Sequence, residues 1–173
     1  EKVRELARNM GIGSKLPENL TLALGTGEVT PMELANSYAT IASGGFYAKP
    51  IFIRKVVSLT GDILQENRAN PVQVLDADVA FVITHMMQSV IEEGTGVRAK
   101  RLKRALAGKT GTTNQSRNAW FAGFSPETVA VTWVGFDDNA PMGRATGSSA
   151  ALPIWVDYLD HALRDTPRLP FKP

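Results

Sequence analysis

The sequence predicts an α+β fold with a central antiparallel sheet packed by helices. Three observations carry that reading. Four segments repeat apolar residues at helical spacing. Three strand-length segments, Ala105 to Thr113, Ala119 to Phe124 and Val129 to Phe136, follow one another late in the chain, and the Ser125-Pro126-Glu127 turn is too short for a parallel crossover. A closing helix with an aromatic face then follows and must pack on that sheet.

Taken in order, Lys2 to Met10 places Val3, Leu6, Ala7 and Met10 at helical spacing, and Gly11 and Gly13 close the segment. Thr30-Pro31-Met32-Glu33 is a strong helix start: Thr30 caps, Pro31 suits the first helical position and Glu33 completes a capping box. That helix runs through Leu34, Tyr38 and Ile41 to Gly44-Gly45. Ile51 to Leu59, the Thr60-Gly61-Asp62 turn and Ile63-Leu64 read as a β-hairpin. Asp76 or Asp78 caps a long helix carrying Val79, Val82, Ile83, Met86, Met87, Val90 and Ile91, with the methionines as core gap-fillers. In the late strands Val129, Val131 and Trp133 alternate with Ala130, Thr132 and Val134, which predicts at least one well-buried face. Pro153 opens the last helix, where Trp155, Tyr158, Leu159 and Leu163 are expected on one face. Residues 165–173 are read as an extended tail, because Pro167, Pro170 and Pro173 exclude a helix there. The chain opens at Glu1, in what reads as the middle of a helix, so the expectation is a piece of a longer protein.

Composition narrows the function classes. The 173 residues are 43% hydrophobic and 21% charged, ordinary proportions for a domain with its own core. There is no cysteine, so disulfide and thiol chemistry are excluded; the two histidines, His85 and His161, lie far apart and suggest no metal centre. No metal and no cofactor is expected. No apolar stretch approaches the ~20 residues needed to span a bilayer. Net charge is +2, too small to demand a polyanionic partner. The basic run Arg98, Lys100, Arg101, Lys103 and Arg104 lacks interleaved aromatics, so a solvated loop or contact with an anionic envelope surface fits better than nucleic acid. Asp137-Asp138 reads as an exposed turn, and Trp120, Trp133 and Trp155 as core, although Trp120 or Phe121 in a cleft is equally compatible.

The chemistry concentrates in Gly108-Lys109-Thr110-Gly111-Thr112-Thr113. On a strand, Lys109 and Gly111 share one face while Thr110 and Thr112 share the other. An edge strand of this composition offers a cation, hydroxyls, unpaired backbone groups and a position open to close approach. Those features suit acyl transfer on a peptide that ends in a carboxylate. A phosphate-binding loop is excluded, because the first glycine of G-x-x-x-x-G-K-[ST] falls on Lys103.

This segment, with Ala119-Trp120-Phe121-Ala122-Gly123-Phe124 and Val131-Thr132-Trp133-Val134-Gly135, resembles the class A, bifunctional penicillin-binding proteins, most closely those of the 1A type from Gram-negative bacteria. Met10-Gly11-Ile12, Pro31-Met32-Glu33-Leu34-Ala35, Ser43-Gly44-Gly45 and Glu93-Gly94-Thr95-Gly96 extend the resemblance over nearly the whole chain. The K-T-G element of that family accompanies an S-x-x-K serine and an S-D-N-type triplet. The resemblance implies the penicillin-binding/serine β-lactamase-like transpeptidase fold, with residues 1–173 as the C-terminal portion of the transpeptidase domain. It implies a serine D,D-transpeptidase that crosslinks peptidoglycan stem peptides ending in D-Ala-D-Ala and is acylated by β-lactams. Lys109 is then the catalytic cation, and Lys109, Thr110, Gly111, Thr112 and Thr113 bind substrate. The implied location is the periplasmic side of the bacterial inner membrane, with a membrane anchor and a glycosyltransferase domain in the parent.

Two departures stand out. No serine here has a lysine three positions on, so the nucleophile and its triplet are expected upstream of Glu1 or on an accompanying polypeptide, and this chain alone is expected to be inactive. Ser116-Arg117-Asn118 spells S-x-N but follows the K-T-G strand, the wrong order for the family, and Asn118 stands where the family more often has aspartate. A D,D-carboxypeptidase or a β-lactamase of the same superfamily, and a catalytically inactive peptidoglycan-binding module, are the competing readings.

Overall fold

The computed structural model describes residues 1–172; Pro173, the end of the expected tail, lies outside the described residues. Its order is α1 (Lys2–Asn9), α2 (Pro31–Ala42), β1 (Phe46–Tyr47), β2 (Lys55–Val57), β3 (Ile63–Glu66), β4 (Val72–Gln73), α3 (Ala77–Glu92), β5 (Ala107–Thr112), β6 (Asn118–Phe124), β7 (Val129–Gly135) and α4 (Leu152–Ala162). A 3-10 turn spans Val97–Leu102, and a single π turn, Gly147–Ala151, leads into α4. The mixture of helices and antiparallel sheets is α+β, as expected.

The sheet runs β5-β6-β7, antiparallel throughout, with Thr110 opposite Phe121 and Phe121 opposite Thr132. Both faces are covered. Phe121, with every atom out of solvent, meets the Trp155 ring at 4.8 Å on the side packed by α4, where Leu152, Val156, Leu159 and Leu163 complete a buried stripe. On the opposite side Phe124 meets Tyr38 of α2 edge-on at 6.5 Å and packs with Ile41, Ile83 and Met87 from α2 and α3. Burial of Tyr38 pushes its phenol up to about 12. Trp155 satisfies its one donor by bonding Ala130 O at 2.9 Å, so the largest buried side chain costs no orphaned N–H.

The capping box at Thr30 forms as expected: Glu33 N–H donates to Thr30 Oγ1 and Thr30 N–H to Glu33 Oε2. Glu33 does more than cap. Its carboxylate also accepts from the N–H groups of Gly13 and Ser14 and from the Ser14 hydroxyl, tying the loop after α1 to the start of α2. The Thr30 backbone bond, joined by the Ser14 bonds, holds this carboxyl at about 2, well below the usual carboxylate range.

Several expectations change. Asp76 occupies the N-cap of α3, but its side chain makes no capping bond. Met87 is core while Met86 is 65% exposed, because α3 buries the stripe through Ile83, Met87 and Ile91 and leaves Val79, Val82 and Met86 outside. β7 has no fully buried face: it is the outer strand of three, and its residues are half-buried apart from Trp133 at 38% exposure. Tyr158 is 57% exposed, and Val156 takes its place on the buried stripe. The hairpin forms over a shorter span, with Ile51 to Arg54 outside any strand. Beyond α4 the chain turns over 163–165, and residues 167–172 carry no helix or strand.

The basic run is partly absorbed by tethering. Arg101 pairs with Asp157 of α4, and Lys100 pairs with Glu92 at 3.1 Å. Arg104 donates to the carbonyls of Leu163, Thr166 and Pro167, holding the segment after α4. Among the described residues no helix is long and apolar enough to cross a membrane.

Candidate functional site

Among the described residues β5 is an edge strand, paired with β6 on one side only. The bond from Thr113 N–H to Asn118 O fixes which backbone groups point where. In an antiparallel ladder, hydrogen-bonded pairs alternate. Counting back through the register, Gly111, Lys109 and Ala107 direct their N–H and C=O toward β6, whereas Thr112, Thr110 and Gly108 direct theirs to the free edge. The Lys109 ammonium curls onto that edge and donates to Thr110 O at 3.0 Å. Lys109 and Thr112 are exposed, Thr110 and Gly111 half-buried and Gly108 buried, so the edge is reachable from solvent over its second half, from Lys109 to Thr112.

The two threonine hydroxyls of this edge each have a partner. Thr110 Oγ1 lies 2.8 Å from Thr95 Oγ1 in the loop after α3. Thr112 Oγ1 accepts the N–H of Gly147 at 3.0 Å. Gly147 approaches the sheet so closely that a Cβ there would lie 2.4 Å from Trp120 O and 2.8 Å from Gly111 O. The π turn, capped reciprocally by Thr146 and Ser149, thus rests directly on the backbone behind the edge. Gly108 is required by the core, since a Cβ would meet the Phe121 ring at 2.8 Å. A Cβ on Gly111 would stand 3.2 Å from Trp120 Cβ, its cross-strand neighbour.

Thr113 is placed differently from its four predecessors. Its N–H bonds Asn118 O and its hydroxyl accepts Asn118 N–H at 2.9 Å, so both groups close the β5–β6 connection. Ser116 sits in that same connection with a positive φ of 50°. Asn118 uses both ends of its amide: Oδ1 accepts the Trp133 indole N–H at 2.7 Å and Nδ2 donates to Asn139 Oδ1 at 3.1 Å. A carboxylate could do only the first of these, so the neutral residue suits its surroundings here. Trp120 and Trp133 pair at 6.2 Å on the half-buried side, and of the three tryptophans only Trp155 is core. Phe121 is buried and does not line a cleft.

Two residues of the site were not assigned from sequence. Thr95 stands inside Glu93-Gly94-Thr95-Gly96, and its signal is the pair of glycines around it. Gly147 follows Thr146 in a T-x-x-S arrangement that is legible as a cap, but its contact with β5 spans 35 residues and leaves no local trace.

Residues 8–160 match the penicillin-binding protein transpeptidase domain. The chain belongs to the penicillin-binding protein transpeptidase family. Among its relatives, penicillin-binding protein 1A of Aquifex aeolicus is 42% identical over 173 residues, covering 99% of this chain and 24% of that protein. Penicillin-binding protein 1A of Pseudomonas aeruginosa is 36% identical over 207 aligned residues, covering 88% of this chain and 25% of that protein. The crystal structure of penicillin-binding protein 1A from Haemophilus influenzae superposes with a TM-score of 0.88 at 30% identity, covering 98% of this chain and 32% of that one. PonA1 of Mycobacterium tuberculosis, solved in complex with penicillin V, gives 0.84 at 26% identity, covering 98% of this chain and 51% of that one. This transpeptidase-family chain therefore spans about a quarter of the length of the curated relatives it matches.

Proposed function

We propose that this chain supplies the substrate-binding strand of a serine D,D-transpeptidase that crosslinks peptidoglycan and is acylated by β-lactams. One observation carries the reading: β5 keeps an edge on which Thr110 and Thr112 present backbone groups beside the Lys109 ammonium. The donor stem peptide lies along this edge as an added strand. Thr110 and Thr112 take its terminal carboxylate, and the outward N–H of Thr112 is one donor to the oxyanion that forms at the scissile carbonyl. Losing such a donor typically costs ~2.7–4 kcal/mol of transition-state stabilisation. Lys109 supplies positive charge where the carboxylate binds and helps proton transfer near the triplet serine. Thr113 serves by holding the strand end. The complex of PonA1 with penicillin V supports β-lactams as ligands of this fold.

The nucleophile is outside this sequence, which has no S-x-x-K. The serine and its triplet come from another part of the parent protein, which acts on the periplasmic side of the inner membrane, and the chain by itself is inactive. The test is chain-resolved mass analysis after incubation of the full-length parent, and of this chain alone, with benzylpenicillin. The adduct is expected on the parent, at a serine upstream of Glu1, and Lys109→Ala in the parent should slow its formation severely with the fold intact. An adduct on a serine of this chain, or acylation indifferent to Lys109→Ala, would refute the assignment. Rapid turnover of the penicillin would favour a β-lactamase, and no adduct on the parent a binding module.

A further inference from the structure

Thr95 reaches the edge strand from a loop that the glycines on either side let lie close against the end of α3. A Cβ on Gly94 would lie 2.9 Å from Val90 Cα, and one on Gly96 would lie 2.8 Å from Ile91 Cδ1 and 3.1 Å from Val90 O. The Gly96 N–H bonds Val90 O at 2.9 Å, fastening the loop back onto the last turn of α3. What the loop presents is a hydroxyl, with Thr95 Oγ1 at 2.8 Å from Thr110 Oγ1.

A hydroxyl has one proton to give and two lone pairs to receive with. In the empty edge either threonine can be the donor. An anion beside Thr110 removes that freedom. The Thr110 proton turns to the anion, and Thr95 becomes the donor to Thr110. That arrangement fills a Thr110 lone pair, polarises its outward bond and fixes a β-branched rotamer that has few alternatives. Among the described residues no other side chain bonds that hydroxyl: Lys109 engages the Thr110 carbonyl, and Gly147 engages Thr112.

We propose that Thr95 is a positioning residue that orients the Thr110 hydroxyl toward the carboxylate of a bound donor peptide or β-lactam. The inference rests on the reading of Thr110 as a carboxylate-binding residue, and the experiment separates the two. In the full-length protein, the initial binding constant and the saturating acylation rate are measured for benzylpenicillin and for its methyl ester, which lacks the anion. Thr110→Val should weaken binding of the acid about tenfold or more, and Thr95→Val about three- to tenfold. Thr95→Ser should restore it, the double variant Thr95→Val/Thr110→Val should bind no worse than Thr110→Val alone, and the ester should be indifferent to Thr95→Val. Weakened binding in Thr110→Val with unchanged binding in Thr95→Val overturns the inference and leaves the proposed function standing. Unchanged binding in Thr110→Val removes the carboxylate role and the inference together. A Thr95→Val defect that extends equally to the ester, or that serine does not rescue, assigns Thr95 a purely structural role and overturns the inference.

Discussion

The β5–β7 sheet and the β2–β3 hairpin are both antiparallel, yet only the sheet is covered. Helices press on the sheet from two sides, α4 through Trp155 and α2 with α3 through Tyr38, Ile41 and Met87. In the hairpin every strand residue is exposed, including Val56, Val57, Ile63 and Leu64, and Leu59 at its turn is fully exposed. Its shape comes from the turn. Asp62 N–H bonds the Ser58 hydroxyl, the Thr60 hydroxyl bonds the Asp62 carboxylate at 2.6 Å, and Gly61 takes a φ of 93°. The contrast separates two questions that sequence patterns merge. Residue type decides that a segment is a strand, while neighbours distant in sequence decide whether that strand is core.

The sharpest way to break the comparison is Trp155→Ala. It removes the side chain that fills the α4 face and leaves Ala130 O without its donor, so chemical denaturation should report a loss of about 3–5 kcal/mol. A loss below ~1 kcal/mol would mean that the sheet is no better packed than the hairpin. A smaller effect is expected from acid. Glu33 has its carboxyl lowered from 4.5 to about 2 in the folded protein, so the stability it contributes is complete above pH 4.5 and is lost as pH falls toward 2. Thermal denaturation across that window should show the melting point of Glu33→Gln falling less than that of the parent chain; equal slopes would show that the clamp between the α1 loop and α2 does not matter. The smallest effect is expected from Leu59→Ser, within ~0.5 kcal/mol by the same denaturation measurement. A larger penalty would reveal that another part of the full-length protein covers the hairpin tip.

Much of this was legible from local chemistry. The Thr30 capping box, the Thr60-Gly61-Asp62 turn, the three late strands and their antiparallel order all follow from residues within a few positions of one another. The K-T-G segment was legible as a strand, and alternation separates Lys109 from Thr110. What could not be read depends on tertiary approach. Nothing near Tyr158 says that the buried stripe of α4 is centred closer to Val156, and nothing near Trp133 says that β7 is the outer strand of the sheet among the described residues. Thr113 looks like its neighbour Thr112, but the position of Asn118 decides that one closes a turn while the other sits on the open edge.

That open edge has a consequence for the molecule's company. A row of N–H and C=O groups directed off the edge of a sheet can template an extended chain, including another copy of the same strand. Lys109 stands in the middle of the row, exposed, with Gly108 and Gly111 weakening the strand on either side. Two copies meeting edge to edge would bring two ammonium groups into one seam, where like charges repel. The cation proposed to meet an incoming carboxylate would also make this edge a poor partner for itself.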